Sequence, residues 1–246
     1  MGFADLHLHT VHSWDGTGTV RAVLKQATMK VGLDVVAITD HDAIDGALQA
    51  LEMASEFGID VIPGTEVSTA DGHLLALDVQ QIIPAGMSLL ATLLHVGEQG
   101  GFCIAPHPLS MGKSSLGCEA IEDALQDSDA AKVLIGMESF NGGVFSRGSN
   151  GAAALFTAEM GLTPVASSDS HVVWTIGCGA TQFDGSTAED LRRAMYAGRT
   201  HPVERVPVKP MRIAGSWVRH RLMRTFGWPD HVAPGAPVAV SNKTSC

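Results

Sequence analysis

No stretch of this 246-residue chain stays apolar for the roughly 18–20 residues that a bilayer-spanning helix needs, so no membrane span is expected. The N-terminus runs straight into Asp5 and His7, without the basic-then-apolar opening of a secretory signal. Position 6 is Leu rather than Ser or Thr, so the myristoylation pattern that starts at Gly2 fails. Cys103, Cys118, Cys178 and Cys246 show no C-x-x-C spacing and imply no disulfide framework. Basic residues are scarce: 16 Lys and Arg against 26 Asp and Glu leave a net charge of −10, and a long nucleic-acid backbone wants a basic face. These absences point to a cytoplasmic protein that binds neither membrane nor long nucleic acid. A nucleotide stays possible, because cations bound beside acidic groups reverse the local field. The excess is histidine. There are 11, most of them in short motifs.

Residues 3–6 read as a short buried strand that delivers His7 and His9, and positions i and i+2 of an extended chain share a side. Thr19 caps a helix over 20–31, whose apolar positions Val20, Val23, Leu24, Ala27 and Val31 keep the helical period up to Gly32. Strand 34–38 is apolar throughout, as suits a strand buried on both faces, and ends in Thr39-Asp40-His41-Asp42. A helix over 43–57 stops at Gly58, and strand 60–63 empties into Gly64-Thr65-Glu66. Strand 73–79 begins with His73, and a helix over 88–99 leads to strand 102–105 and then His107. A helix near 119–127 precedes strand 133–138, and one near 149–160 precedes strand 163–167, which delivers Asp169 and His171.

About seven strands alternate with helices, and this argues an α/β fold with a parallel sheet. A polar cluster follows most strands. An open doubly wound sheet gathers its ligands at one crevice, whereas a barrel draws them from nearly every strand end. The spread favours a closed or nearly closed TIM-like barrel over residues 1–209, with its last helix at 188–197. Residues 210–246 form an extension: an amphipathic surface helix at 217–228 and a loose tail rich in Pro, Ala, Gly and Ser.

His-x-His alone is a weak signal, equally compatible with two histidines capping a strand end. The other strand ends supply partners. Together they offer His7, His9, Asp15, His41, Glu66, His73, His107, Asp169 and His171, six imidazoles and three carboxylates. Catalytic zinc-type sites use about three protein ligands each, so nine ligands suit three divalent ions, the more so if Glu66 bridges two. Mixed imidazole and carboxylate ligation fits zinc, manganese or iron and argues against calcium or copper(I).

The motifs Asp5-Leu6-His7-Leu8-His9-Thr10, Ser13-Trp14-Asp15-Gly16, Ile38-Thr39-Asp40-His41-Asp42, Pro63-Gly64-Thr65-Glu66, Gly72-His73, Ala105-Pro106-His107-Pro108 and Ser168-Asp169-Ser170-His171 occur in an order that resembles the polymerase and histidinol phosphatase (PHP) superfamily, over roughly residues 3–200. The resemblance implies a distorted (β/α)7 barrel with a trinuclear centre. By the same resemblance His7, His9, Glu66 and Asp169 surround one metal, Glu66, His73 and His107 the second, and Asp15, His41 and His171 the third. Where the family often has Ser-Asp-Gly, this chain inserts Trp14. Only residues 74–106 separate His73 from His107, too few for the cap that many members carry there.

The chemistry this suggests is phosphate-ester hydrolysis. Ions a few Å apart make a shared water acidic enough to attack phosphorus as hydroxide, and they neutralise charge on the phosphoryl oxygens. Glu66 would hold the bridged pair, Asp169 would anchor and polarise, and His171 would assist the leaving oxygen. The expected substrate is a small phosphorylated molecule such as a mononucleotide. Arg147 and Lys113 are candidate phosphate holders in loops on the active face, against the plainer reading as solvated charges. Glu138 and Asn141 are expected to support a metal histidine rather than to ligate, and Asp40 and Asp42 to support the site or cap a helix. His12 has no matching role, and His95, His201, His220 and His231 read as structural or surface groups. Two other functions compete: a metal-dependent hydrolase of a C–N bond, and a non-catalytic metal-stabilised module. The first usually comes with an eight-stranded barrel and a lysine ligand at a strand end. The second predicts ligand losses.

Overall fold

The computed structural model describes residues 1–110, 114–143, 147–206, 215 and 218; of Arg147 it describes the backbone alone. Strand β1 (Gly2–Leu8) leads to α1 (Val20–Gln26), whose Thr19 side chain accepts from Ala22 N and which runs on as a π-helical stretch, Ala27–Val31, to Gly32 in the left-handed region at φ 66°. β2 (Val35–Ile38), α2 (Asp45–Phe57) and β3 (Asp60–Ser68) follow, and β3 turns directly into β4 (His73–Leu77). Then come α3 (Leu89–Glu98), β5 (Phe102–Ala105), α4 (Cys118–Leu125), α5 (Ala130–Val133), β6 (Leu134–Asn141), α6 (Arg147–Met160) and β7 (Thr163–Ser167). A 3-10 turn (Val173–Thr175), β8 (Gly179–Phe183), α7 (Ala188–Tyr196) and β9 (Thr200–Glu204) follow.

The strands form one sheet in the order β7-β6-β5-β4-β3-β2-β1-β8-β9. Pairs β1/β2, β2/β3, β5/β6 and β6/β7 are parallel, while β3/β4, β4/β5, β1/β8 and β8/β9 are antiparallel. Side chains nearly close the ring. Thr181 Oγ1 on β8 accepts from Ala166 N and donates to Ala166 O on β7, both at 2.9 Å, and Thr200 Oγ1 on β9 donates to Pro164 O at 2.7 Å. Ala4, Leu6, Val35, Ala37, Ile62, Leu75, Leu77, Phe102, Ile104, Val165 and Phe183 come from seven strands yet form one buried cluster. Only the inside of a barrel brings seven strands together in this way, and Leu191, Ala194 and Met195 of α7 join that cluster. The alternate faces, such as Val36 and Ile38, pack under α1, α2 and α3.

Two sequence expectations need correction. Among the described residues the sheet has nine strands rather than about seven, and it is mixed rather than parallel. Gly179–Phe183 and Thr200–Glu204 escaped because neither carries a long apolar run and both pair antiparallel. β3 continues through Glu66 because its hairpin with β4 supplies hydrogen bonds there.

A bulge decides where the histidines point. Between β1 and β2 the register runs Ala4↔Val35, Asp5↔Val36, Leu8↔Ile38, so β1 carries one extra residue after Asp5. Ala4 and Leu6 face the barrel interior before it, and Leu8 faces the outer helices after it. His7 and His9 therefore turn into the barrel mouth, whereas Asp5, of the same parity, does not.

Candidate metal centre

The loop after β1 is clamped to the end of β2. Asp40 accepts from Thr10 N (Oδ1) and Thr10 Oγ1 (Oδ2), both at 2.6 Å, and Gly46 leaves room because a Cβ there would lie 2.2 Å from Asp40 Oδ2. Next, Ser13 Oγ donates to Asp15 Oδ1 at 2.7 Å and accepts from Gly16 N at 3.3 Å. Gly16 is forced: a Cβ on it would sit 1.9 Å from Thr10 O. This tight turn aims the other Asp15 oxygen, Oδ2, at His171 Nε2 (2.9 Å) and His41 Nε2 (3.2 Å). Asp42, at φ 48°, accepts from Ser68 N and ties the β2 end to β3.

Glu66 is the hub. Its buried Oε1 lies 2.8 Å from His73 Nδ1 and 3.1 Å from His107 Nε2. Its Oε2 lies 3.1 Å from His7 Nε2 and 3.3 Å from both His9 Nε2 and His41 Nδ1. Asp169 Oδ1 lies 3.5 Å from His7 Nε2, 3.4 Å from His9 Nε2 and 3.5 Å from His171 Nδ1. Thus all nine residues singled out from the sequence converge. They do so in overlapping sets whose ligand atoms lie within 4.8 Å of one another: His9, Asp15, His41 and His171; His7, His9 and Glu66; His7, His107 and Asp169; His41, Glu66 and His73. Asp15, His41 and His171 fall in one set together with His9. His73 groups with His41 as well as Glu66, and His107 with His7 and Asp169.

The electrostatics ask for positive charge. Burial disfavours a charged His7, yet Asp169, Glu66 and Glu138 outweigh it and raise His7 well above the usual imidazole range. Burial likewise pushes Glu66 up, but His7 and hydrogen bonds from His107, His7 and His73 hold it well below the carboxylate range. Asp15 is held low by His171 and His41 against its own burial. Neighbours fix the proton positions too. Glu138, fully buried, accepts from His7 Nδ1 at 3.1 Å, from His107 N at 2.7 Å and from Asn141 Nδ2 at 2.7 Å. His171 Nδ1 donates to Asp169 O at 3.0 Å. The remaining ring nitrogens, His7 Nε2 and His171 Nε2, face carboxylate oxygens, where each holds a second proton or, in its place, gives its lone pair to a metal. Neither buried ring nitrogen of His9 has a hydrogen-bond partner, nor has His107 Nδ1. A proton or a cation must lie between such a nitrogen and its carboxylate, and separations of 3.3–3.5 Å match the distance between neighbouring ligands of a tetrahedral ion with bonds of about 2.0–2.1 Å. The donor set fits divalent metal.

Backbone geometry at the site is unusual where the donors sit. His107 (φ 29°) and Asp169 (φ 51°) occupy the left-handed region, which costs a non-glycine residue about 1–3 kcal/mol unless its surroundings impose it. Gly143 packs against Asp169, where a Cβ would lie 2.7 Å from Oδ2, and its N donates to Asn141 Oδ1. Gly142 and Gly143 went unread in the sequence, although Asn141 followed by two glycines marks a close approach. Asp5 also went unassigned. It is buried, accepts from Ser168 N (3.0 Å) and Gly177 N (2.8 Å), and its carboxyl is pushed up to about 6 by burial. A carboxylate inside an apolar strand was the available signal.

Arg147 opens α6 rather than lying in a loop, and Lys113 and residues 217, 219–246 lie outside the described residues. His12 is exposed beside Gln49, His95 is half-buried beside Glu98, and His201 is exposed on β9. Among the described residues no helix is long and apolar enough to cross a membrane.

Comparison with known proteins agrees with this geometry. The sequence profile described as "PHP domain" matches residues 5–108, which carry seven of the nine donors, and "PHP-associated" matches 147–200, which carry Asp169 and His171. The uncharacterized protein MJ1587 of Methanocaldococcus jannaschii is 39% identical over 148 residues, covering 56% of this chain and 81% of the relative. Among solved structures, a two-domain protein from Bacteroides vulgatus containing a predicted PHP-like metal-dependent phosphoesterase superposes with TM-score 0.69 at 20% identity, over 82% of this chain and 64% of its own length. An amidohydrolase from Chromobacterium violaceum, with bound sulfate and no metal, superposes with TM-score 0.58 at 19% identity, over 84% of this chain and 98% of its own.

Proposed function

Because the chain belongs to the PHP family, we propose that it is a metal-dependent phosphoesterase acting on a small phosphate ester such as a nucleotide. The observation that carries this reading is the convergence of six imidazoles and three carboxylates in one cluster, five of the histidines lying within 3.3 Å of the buried Glu66. His7, His9, Glu66 and Asp169 would hold one divalent ion, Glu66, His73 and His107 a second, and Asp15, His41 and His171 a third, the metals being zinc, manganese or iron. Bound there, such ions supply water activation at neutral pH and neutralise the phosphoryl oxygens.

The chain's own groups do the rest. Glu138 keeps the His7 proton on Nδ1, so that Nε2 stays a ligand. Buried His7, His9 and Glu66 keep bulk water from the floor of the site, while His73 and His171 expose 21% and 25% of their side chains and line the entrance. The ester oxygen that leaves would face His171, whose ring is oriented by Asp169 O. Asp169, at 13% exposure, bridges floor and entrance.

Phosphate release tests the reading, with manganese-loaded protein, mononucleotides, a short oligonucleotide and histidinol phosphate as substrates, and Asp169→Asn as control. Turnover abolished by the substitution is the expected result; turnover unchanged by it overturns the assignment. The C–N hydrolase is the second reading, favoured by the fold shared with the amidohydrolase. Against it, the lysines among the described residues, Lys25, Lys30 and Lys132, lie on α1, its π-helical end and α5, none at a strand end.

A further inference from the structure

This inference rests on the phosphoesterase reading and names a class of substrate for it. Aromatic residues are only 5% of the chain, with four Trp and one Tyr, yet Trp14 and Trp174 expose 65% and 40% of their surface. Both stand beside donors of the centre: Trp14 directly precedes Asp15 on its loop, and Trp174 lies three residues after His171 in a single 3-10 turn, Val173–Thr175. The two segments are fastened together. Thr17 donates to His171 O from both N (3.0 Å) and Oγ1 (2.7 Å), and Gly18 sits against Val173, where a Cβ would lie 2.5 Å from Cγ2. The turn that points Asp15 inward leaves its neighbour Trp14 on the rim. There the indole lies within 20° of parallel to the His41 ring, centroids 6.0 Å apart. His41 in turn reaches Asp15 Oδ2 and Glu66 Oε2 at 3.2 and 3.3 Å. A broad π-surface thus adjoins the donor cluster.

We propose that Trp14 is a specificity-determining residue, a stacking platform for a planar ring esterified to the phosphate held by the centre. The polar cluster takes the phosphate, and the indole takes a nucleobase or an aryl ring. Shielding of His41 alone is the competing role, and it does not discriminate between esters.

The test compares wild type, Trp14→Ala and Trp14→Phe, all manganese-loaded, on adenosine monophosphate, phenyl phosphate and glycerol phosphate. In Trp14→Ala the kcat/KM of an aromatic ester relative to glycerol phosphate falls about 5- to 150-fold, and Trp14→Phe restores most of it. A fall for adenosine monophosphate alone assigns a nucleobase, and a fall for both assigns any ring. An unchanged ratio overturns the platform and leaves the phosphoesterase reading standing. Tryptophan emission gives a second readout: adenosine monophosphate quenches it more than ribose 5-phosphate does, and Trp14→Phe removes the difference. If no ester is turned over, the phosphoesterase reading fails and this quench alone decides, its absence overturning the platform.

Discussion

Replacing Glu138 with Gln leaves the shape of the site almost intact and disturbs one proton. Three donors face the carboxylate: His7 Nδ1 at Oε1, and His107 N and Asn141 Nδ2 at Oε2. A glutamine oxygen can serve the pair at Oε2, but its NH2 then meets His7 Nδ1. His7 must move its proton to Nε2, which lies 3.1 Å from Glu66 Oε2, and it is lost as a metal ligand. The opposite amide orientation spares His7 but sets NH2 against His107 N and Asn141, leaving a buried donor unpaired at about 1–3 kcal/mol. Asn141 cannot flip to relieve this without losing its bond from Gly143 N at 2.8 Å. Either route weakens metal binding, by the 10- to 100-fold typical of groups that orient a metal histidine, or about 1.4–2.7 kcal/mol. Calorimetric titration with manganese measures the affinity, and nitrogen-15 NMR of His7 reads the tautomer. Affinity within twofold of wild type, with His7 still protonated on Nδ1, would refute the reasoning.

Gly16→Ala places a Cβ 1.9 Å from Thr10 O and must displace the Asp15 turn; a loss of about 1–3 kcal/mol in denaturant unfolding and of one bound ion per chain is expected. Leu77→Ala hollows the barrel interior, where Leu77 is fully buried, and should cost about 2–5 kcal/mol, or roughly 4–20 °C in Tm by calorimetry. Thr187→Ala removes the reciprocal cap between Thr187 and Asp190 at the start of α7, at about 1 kcal/mol in the same assay. Asp5 has its carboxyl raised to about 6 from 3.8. The folded state thus holds this proton more tightly, and the stability it contributes is complete below pH 3.8 and lost as pH rises through 6. Relative to Asp5→Asn, metal-free wild type should lose about 3 kcal/mol between pH 3.5 and 7; a difference that stays flat or has the opposite slope contradicts the burial argument.

Polar groups stand at the ends of apolar runs, and this made the site readable from the sequence. Phe102–Ala105 and Thr163–Ser167 end where their apolar runs end, and so His107, Asp169 and His171 fall at the mouth. β8 and β9 were hidden for the same physical reason in reverse. Gly179–Phe183 includes Thr181 and Gln182, and β9 carries Pro202, which an edge strand tolerates. The membership of the site was legible, but its pairing was not. His41 sits between Asp15 and Glu66 and brings His73 with it. No spacing rule reveals the bulge in β1, yet that bulge separates Asp5 from His7 and His9. Glu138 showed as a polar residue at a strand end, but its three hydrogen bonds depend on β6 bulging between Glu138 and Phe140.

Metal counting tests the central claim most directly. Protein loaded with manganese and freed of excess ion should carry three ions per chain by plasma emission spectrometry. Glu66→Gln, which removes the hub shared by five histidines, should carry one at most, the ion of Asp15, His41 and His171. No bound metal in the wild type, or three ions retained in Glu66→Gln, would contradict the account.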